Sequence, residues 1–224
     1  MKADLHARPA RHDRVWLGPT WGQQASSIPS EEARAALVDW FARGRPAVVC
    51  RGDAGERTGD AANVTLSVTL PAARWLAAIQ FTVSRSSIAR RAPPLPLAEA
   101  IPDAFPDWRA PLTDLDRLAT SVGVPLSVVG ALAWQHLTGE PYLTPRTAVE
   151  LVFRPRTRPQ LDGILAILRA REDRDDPALG GEAILGWDAT VAWRDLVRGR
   201  RRVMVRRAEN EEVMDVDRLL AGLR

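Results

Sequence analysis

The stretch "SVVGALAWQHLTGEPYLTPRTAVELVF", from Ser127 to Phe153, carries the pattern that decides the fold of this chain. It predicts an apolar strand, a glycine, a short helix, a proline-containing loop and a second apolar strand. Many phosphate-transferring folds use this layout, with a small residue after the glycine and two carboxylates on the second strand. Here the small residue is Ala131, and the second strand carries one carboxylate, Glu150, with Ala148 two residues before it.

Length, charge and hydropathy limit the classes of protein to which the chain can belong. Its 224 residues are enough to bury a core as two small domains or one large one. The formal net charge of +3 favours anionic small molecules or an acidic protein partner and argues against a dedicated nucleic-acid binder. No segment approaches the roughly 18 apolar residues of a membrane span, and the N-terminus has no apolar signal core. We therefore predict a cytoplasmic protein with no membrane insertion.

The first half of the chain predicts a small α+β domain over residues 1–92. Strands are expected at "RVWL", "PAVVCR", "NVTLSVTLP" and "RWLAAIQFTVS", and the last two should form an antiparallel pair. A helix capped by Ser30 should end at Gly44, with Ala33, Leu37, Trp40 and Phe41 on one face. The proline-rich stretch "RRAPPLPLAEAIPDAFPDWRAPL" then forbids long helices, and we predict a surface connector over residues 93–112.

Residues 113–224 predict a second domain in which helices and strands alternate. Helices are expected at "TDLDRLATSVG", capped by Thr113, and at "ALAWQHLTG", "RPQLDGILAILRARED", "WRDLVRG" and "DVDRLLAGLR". Strands are expected at "VPLSVVG", "AVELVF" and "RVMVR", with "EAIL" and "ATVAW" forming a hairpin. The fold class is therefore α+β or mixed α/β, with a mixed sheet flanked by helices in this domain.

The basic run "RGRRRVMVRR", from Arg198 to Arg207, has two interpretations. Its arginines could form an edge that contacts phosphates, because arginine makes two-point contacts with phosphate oxygens. Alternatively, they are the solvated flank of a strand whose inward residues are Val203 and Val205. The alternation of apolar and basic residues favours the second interpretation.

The block "GALAWQHLTGEPYL", followed by "TAVELVF", resembles a motif of one enzyme family. That family is malonate decarboxylase holo-acyl-carrier-protein synthase, also called phosphoribosyl-dephospho-CoA transferase. Its members typically show glycine-serine, then "WQ.LTG..YL", then serine-Asp-x-Asp and an apolar strand. Further similarity occurs at "RHDRVWL", "GRPAVVCR", "VTLP", "GEAILGWDATVAWRDL" and "RVMVRR", so the resemblance extends over nearly the whole chain.

The resemblance implies a nucleotidyltransferase-like C-terminal domain that uses Mg²⁺. Such enzymes take 2'-(5''-triphosphoribosyl)-3'-dephospho-CoA and attach its phosphoribosyl-dephospho-CoA part to a serine of the malonate decarboxylase acyl carrier protein, releasing pyrophosphate. Mg²⁺ prefers hard oxygen ligands, which explains a pair of carboxylates at such a site. An alternative is a natural or engineered inactive relative that binds the cofactor precursor or the carrier protein without catalysis.

The resemblance carries over unevenly to individual residues. Gly130 matches the family glycine, whereas Ala131 lies where the family has serine, and Thr147 replaces another serine. Ala148 lies at the position of the first metal-binding aspartate, and Glu150 lies at the position of the second. The expected metal clamp is therefore missing one carboxylate.

Other candidate site residues come from the same comparison, and each has a structural alternative. Asp188 is the candidate third carboxylate and metal ligand beside Glu150, or else a turn residue that bonds its own backbone. Gln135 and Thr138 are candidate nucleotide contacts, although a polar helix face would also explain them. Arg154 and Arg194 are candidate triphosphate contacts, the latter with a salt bridge to Asp195 or Glu150 as its alternative.

Overall fold

The chain forms two compact units that divide between Pro94 and Leu95. The computed structural model describes residues 9–51, 63–71, 78–171, 177–186, 189–207 and 210–223. Each unit contains its own β-sheet and its own helices. The predicted two-domain α+β fold is therefore confirmed.

The N-terminal unit is an antiparallel five-stranded sheet with one long helix. Its strands are β1 (Arg14–Leu17), β2 (Ala47–Val49), β3 (Asn63–Thr69), β4 (Ala78–Ser84) and β5 (Ile88–Ala92), in the order β4-β3-β2-β1-β5. Helix α1 (Glu31–Ala42) begins where the Ser30 side chain accepts a hydrogen bond from the backbone N–H of Ala33. Leu37 and Trp40 of this helix are buried, as the helical spacing predicts.

The C-terminal unit is built on a mixed seven-stranded sheet. Its strands are β6 (Leu95–Pro96), β7 (Leu126–Val129), β8 (Val149–Phe153), β9 (Leu179–Leu185), β10 (Ala189–Ala192), β11 (Arg202–Arg206) and β12 (Glu211–Asp215). They follow the order β12-β11-β10-β9-β8-β7-β6, with β8 and β9 parallel and the other named neighbours antiparallel. The helices are α2 (Leu97–Ala100), α3 (Pro106–Ser121), α4 (Gly130–Thr138), α5 (Arg158–Arg169), α6 (Trp193–Val197) and α7 (Val216–Leu220).

The proline-rich stretch corrects the sequence prediction most clearly. The helix expected to start at Thr113 begins at Pro106, because proline is tolerated in the first turn, where its missing N–H would be unpaired anyway. Pro111 also lies inside this helix, and the Thr113 hydroxyl donates to the Arg109 carbonyl oxygen instead of capping. Leu97 and several neighbours are buried, so the stretch contributes to the core instead of lying over the surface.

The two faces of the C-terminal sheet differ in character. Alternate residues of β8, including Leu151 and Phe153, join the hydrophobic core with buried residues of α3 and α5. Val203 and Val205 of β11 also face this core, which confirms the interpretation of the basic run as a strand with inward valines. The opposite face carries Glu150 and its neighbours on β9. None of the helices formed by the described residues has the length and apolar content that a membrane crossing requires.

Candidate active site

Gly130 and Glu150 meet where β7 passes into α4. Strand β7 ends at Val129, whose register partner on β8 is Glu150, so helix α4 begins beside the carboxylate-bearing strand. Gly130 has φ +67°, in the left-handed region that favours glycine. A Cβ at this position would also lie 3.4 Å from Cγ of Glu150. The left-handed turn therefore favours the glycine that the sequence predicts here, and Glu150 lies at a van der Waals distance from the position that a Cβ would take.

A second glycine, Gly180 on β9, lies under the Glu150 carboxylate. The two residues are register partners in the parallel β8–β9 pair. A Cβ built on Gly180 would be 2.6 Å from Oε1 and 2.7 Å from Oε2 of Glu150, so the carboxylate rests directly over the glycine backbone. The adjacent Gly181 has φ +112°, and a Cβ there would collide with the carbonyl oxygen of Leu151.

The sequence analysis missed this pair of glycines, although a signal was available. Glycine inside a strand often marks a place where a ligand or another backbone approaches closely. The letters "LGGEAIL" place two glycines immediately before the predicted strand "EAIL", which begins with an acidic residue, Glu182. The glycines indicate a close approach, although the sequence alone does not show that Glu150 is the residue that approaches.

Glu182 gives the site a second carboxylate that the sequence analysis also missed. It lies two residues after Gly180 on β9 and therefore faces the same side of the sheet as Glu150. Its Oε1 lies 3.5 Å from Nη1 of Arg206, which also contacts Glu211. Burial raises the pKa of Glu150, the negative charge of Glu182 raises it further, and the positive charge of Arg194 acts in the opposite direction.

Helix α6 fixes the segment of β9 that supports Glu150. Arg194 donates to the Leu179 carbonyl oxygen through Nε at 3.0 Å and Nη2 at 2.6 Å. Trp193 donates from its indole Nε1 to the Gly180 carbonyl oxygen at 2.8 Å. The structure pairs Asp195 with Arg200, at 3.2 Å, and brings Arg194 close enough to Glu150 to affect its pKa.

Two polar residues of α4 make contacts within their own unit. The Gln135 side-chain oxygen accepts from the N–H groups of Tyr142 and Leu143, and its Nε2 donates to the Asp103 carbonyl oxygen. The Thr138 hydroxyl donates to the Trp134 carbonyl oxygen, one turn earlier, and accepts from the N–H of Glu140. These bonds close the helix and fix the following loop.

The remaining candidate residues lie at the ends of the same elements. Thr147 accepts a hydrogen bond from the Thr144 N–H, and Arg154 donates from Nη1 to the Gly186 carbonyl oxygen at 2.7 Å. Ala131 is the second residue of α4, and Ala148 immediately precedes β8. Asp188 lies outside the described residues.

The oxygen donors around Glu150 are few. Within residues 9–51, 63–71, 78–171, 177–186, 189–207 and 210–223, no group of three or more His, Cys, Asp or Glu side chains is placed to hold a metal ion. The carboxylates of Glu150 and Glu182 nevertheless offer hard oxygen ligands on one face of the sheet. Mg²⁺ usually keeps several waters and takes one or two carboxylates together with substrate phosphates, so this donor set fits Mg²⁺ in the presence of a polyphosphate.

Comparison with known proteins identifies the family of this chain. The phosphoribosyl-dephospho-CoA transferase MdcG N-terminal domain matches residues 10–94, and the C-terminal domain of the same family matches residues 96–217. A phosphoribosyl-dephospho-CoA transferase of Xanthomonas campestris pv. campestris (strain 8004) is 36% identical over 197 residues, which cover 88% of this chain and 90% of the relative. One of Bradyrhizobium diazoefficiens is 29% identical over 215 residues, covering 96% of this chain and 93% of the relative. No solved structure gives a significant match. The chain belongs to the phosphoribosyl-dephospho-CoA transferase MdcG family.

Proposed function

We propose that this chain transfers the phosphoribosyl-dephospho-CoA group of 2'-(5''-triphosphoribosyl)-3'-dephospho-CoA to a serine of the malonate decarboxylase acyl carrier protein. The observation that carries the proposal is the position of the Glu150 carboxylate, between the glycine that starts α4 and the glycine of β9. A carboxylate beside a helix N-terminus suits a polyphosphate with a bound cation, and the relatives named above are transferases of this group.

The start of α4 is the proposed cradle for the triphosphate. The first N–H groups of a helix have no partner within the helix, so they can donate to phosphate oxygens. The first turn of α4 contains no acidic residue that would repel an anion. Gly130 and Ala131 have no bulky side chains, which leaves this helix end open to the phosphate.

Arginines and a cation would complete the proposed site. Arg154 follows β8, and Arg194 lies near Glu150, so both are proposed to contact the triphosphate. We propose that Glu150 holds Mg²⁺ together with the substrate phosphates, with Asp188, the third carboxylate predicted from the sequence, as a further ligand. The bound ion would neutralise negative charge on the phosphate oxygens.

The proposed reaction is of the nucleotidyltransferase type. The serine oxygen of the carrier protein forms a bond to the α-phosphorus of the triphosphate. The bond from that phosphorus to the bridging oxygen breaks, pyrophosphate leaves, and the serine proton passes to solvent. The contribution of this chain is to hold the triphosphate so that the serine oxygen and the leaving oxygen lie in line.

A second candidate function is binding of the precursor or the carrier protein without turnover. One observation favours it: Ala148 offers no ligand two residues before Glu150. The two functions are separated by mixing the chain with stoichiometric precursor and apo carrier protein. A mass increase of the carrier within one turnover supports the transferase, whereas precursor binding in calorimetry without any mass increase supports the binding protein.

A further inference from the structure

We propose that Gly180 is a positioning residue for the Glu150 carboxylate, because the absence of a side chain at Gly180 leaves the space over β9 that the carboxylate occupies. The predicted effect on transfer rests on the proposed function, whereas the predicted contact between Gly180 and Glu150 rests on geometry alone. The distances are short. A Cβ at Gly180 would lie 2.6 Å and 2.7 Å from the two carboxylate oxygens and 2.8 Å from Cδ, whereas real Cβ atoms essentially never approach within 3.0 Å.

Such a Cβ would displace the carboxylate, which is the far end of a flexible side chain and can therefore move. On the side of β7, a Cβ at Gly130 would be 3.4 Å from Cγ of Glu150, an ordinary van der Waals distance, so the side chain has room to move in that direction. Glu150 therefore occupies a slot between two glycines, one at the start of α4 and one on β9. A side chain added at Gly180 would push the carboxylate toward the N-terminus of α4, which is the proposed phosphate cradle.

The backbone of β9 under the carboxylate is also held in place. The carbonyl oxygens of Leu179 and Gly180 accept hydrogen bonds from Arg194 and Trp193, which tie this part of β9 to α6. The next residue, Gly181, packs so closely on Leu151 that a Cβ would lie 2.5 Å from the Leu151 backbone nitrogen. A clash at Gly180 must therefore be relieved mainly by displacement of the Glu150 side chain.

The experiment is a double-mutant cycle between these two positions. Gly180→Ala should lower kcat for transfer at least tenfold while changing KM for the precursor less than threefold, since the carboxylate is displaced but the cradle backbone remains. Glu150→Asp withdraws the carboxylate by one methylene. In that background we expect Gly180→Ala to cost less than threefold in kcat, because the shortened side chain no longer reaches the new methyl group.

A second readout does not depend on activity. The melting temperature should show the same coupling, with Gly180→Ala more destabilising beside glutamate than beside aspartate at position 150. The matched control is Gly222→Ala, where an added Cβ meets no atom within 4 Å and where we expect no coupling to Glu150→Asp. If Gly180→Ala fails to fold, restoration of folding by Glu150→Asp supports the proposal.

Additive effects of the two substitutions on both melting temperature and kcat would overturn the proposal. If Gly180→Ala alone does not fold, a Gly180→Ala, Glu150→Asp double variant that also stays unfolded would overturn it as well. Absence of transfer by the unmodified chain would instead refute the proposed function. The melting cycle would then still decide whether Gly180 positions Glu150.

Discussion

The indole Nε1 of Trp193 donates a 2.8 Å hydrogen bond to the carbonyl oxygen of Gly180, and this bond links the helix α6 to the strand under Glu150. Trp193 is fully buried in the hydrophobic core. The backbone of β9 next to Glu150 is therefore tied to the core through α6. This connection explains why residues far along the sequence from Glu150 belong to its site.

The stability of the chain should depend on pH through Glu150. Folding raises the pKa of this carboxyl group, mainly through burial and then through Glu182, so the folded chain holds the proton more tightly than the unfolded chain. Above the raised pKa, the ionised Glu150 side chain therefore lowers the free energy of unfolding. This loss disappears as the pH falls below the ordinary pKa of glutamate, about 4.3. Glu150→Gln should melt at a higher temperature than the parent at pH 7.5.

At about pH 4, the difference in melting temperature between Glu150→Gln and the parent should be smaller, because Glu150 is then largely protonated in both the folded and the unfolded chain. Melting in metal-free buffer by circular dichroism measures both. A difference that stays constant between the two pH values would show that Glu150 does not titrate with a raised pKa.

Introducing a carboxylate at position 148 should raise turnover. Ala148 immediately precedes β8, two residues before Glu150, and residues two apart on a strand face the same side. Ala148→Asp should transfer the prosthetic group roughly 100-fold faster with Mg²⁺, since a metal ligand contributes several kcal/mol of transition-state stabilisation. Ala148→Asn, which has the same size but no charge, is the control. Equal rates for the parent and the aspartate variant would mean that this position does not contact the metal.

Gln135 should prove to be a structural residue of the loop after α4. Its side chain bonds two backbone N–H groups, those of Tyr142 and Leu143, and the carbonyl oxygen of Asp103. Gln135→Ala should lower the free energy of unfolding by about 1–3 kcal/mol, because partly buried backbone groups lose their partners. Gln80→Ala, at an exposed position of β4, should have little effect. Urea unfolding of both variants tests this, and identical midpoints would contradict the assignment.

Gly130 should be essential for binding of the precursor. Its φ of +67° disfavours a β-branched side chain, and a larger residue would lie against Glu150 and obstruct the first turn of α4. We expect Gly130→Val to weaken precursor binding in calorimetry more than tenfold, whereas Gly222→Val should bind as the parent does. Tight binding by a Gly130→Val chain whose circular dichroism shows it to be folded would place the phosphate cradle elsewhere.

Sequence reasoning located the strand–glycine–helix frame because its determinants are local. Gly130 and Gly139 bound the helix, and the apolar runs on either side have strand periodicity. It missed the part of α3 before Thr113, since the proline-rich stretch was taken to forbid long helices, whereas the buried Trp108 and Leu112 stabilise this part through packing. Tertiary contacts there outweigh the local preference.

The β9 side of the site was missed for a different reason. Glu150 and Gly180 are neighbours only because β8 and β9 pair in parallel, with α5 between them in the chain. Nothing in the local sequence of either strand specifies that register. The pairing with Glu182 follows from the same register, so it became visible only in the assembled sheet.

The central claim is that this chain modifies a carrier-protein serine through the site around Glu150. Intact-mass spectrometry of apo malonate decarboxylase acyl carrier protein, incubated with the chain, the triphosphoribosyl precursor and Mg²⁺, tests it most directly. We predict that the carrier gains the mass of the phosphoribosyl-dephospho-CoA group with equimolar pyrophosphate, that Ala148→Asp accelerates this gain, and that Glu150→Ala abolishes it. An unmodified carrier with both the parent and Ala148→Asp, under conditions where a related transferase modifies it fully, would contradict the account.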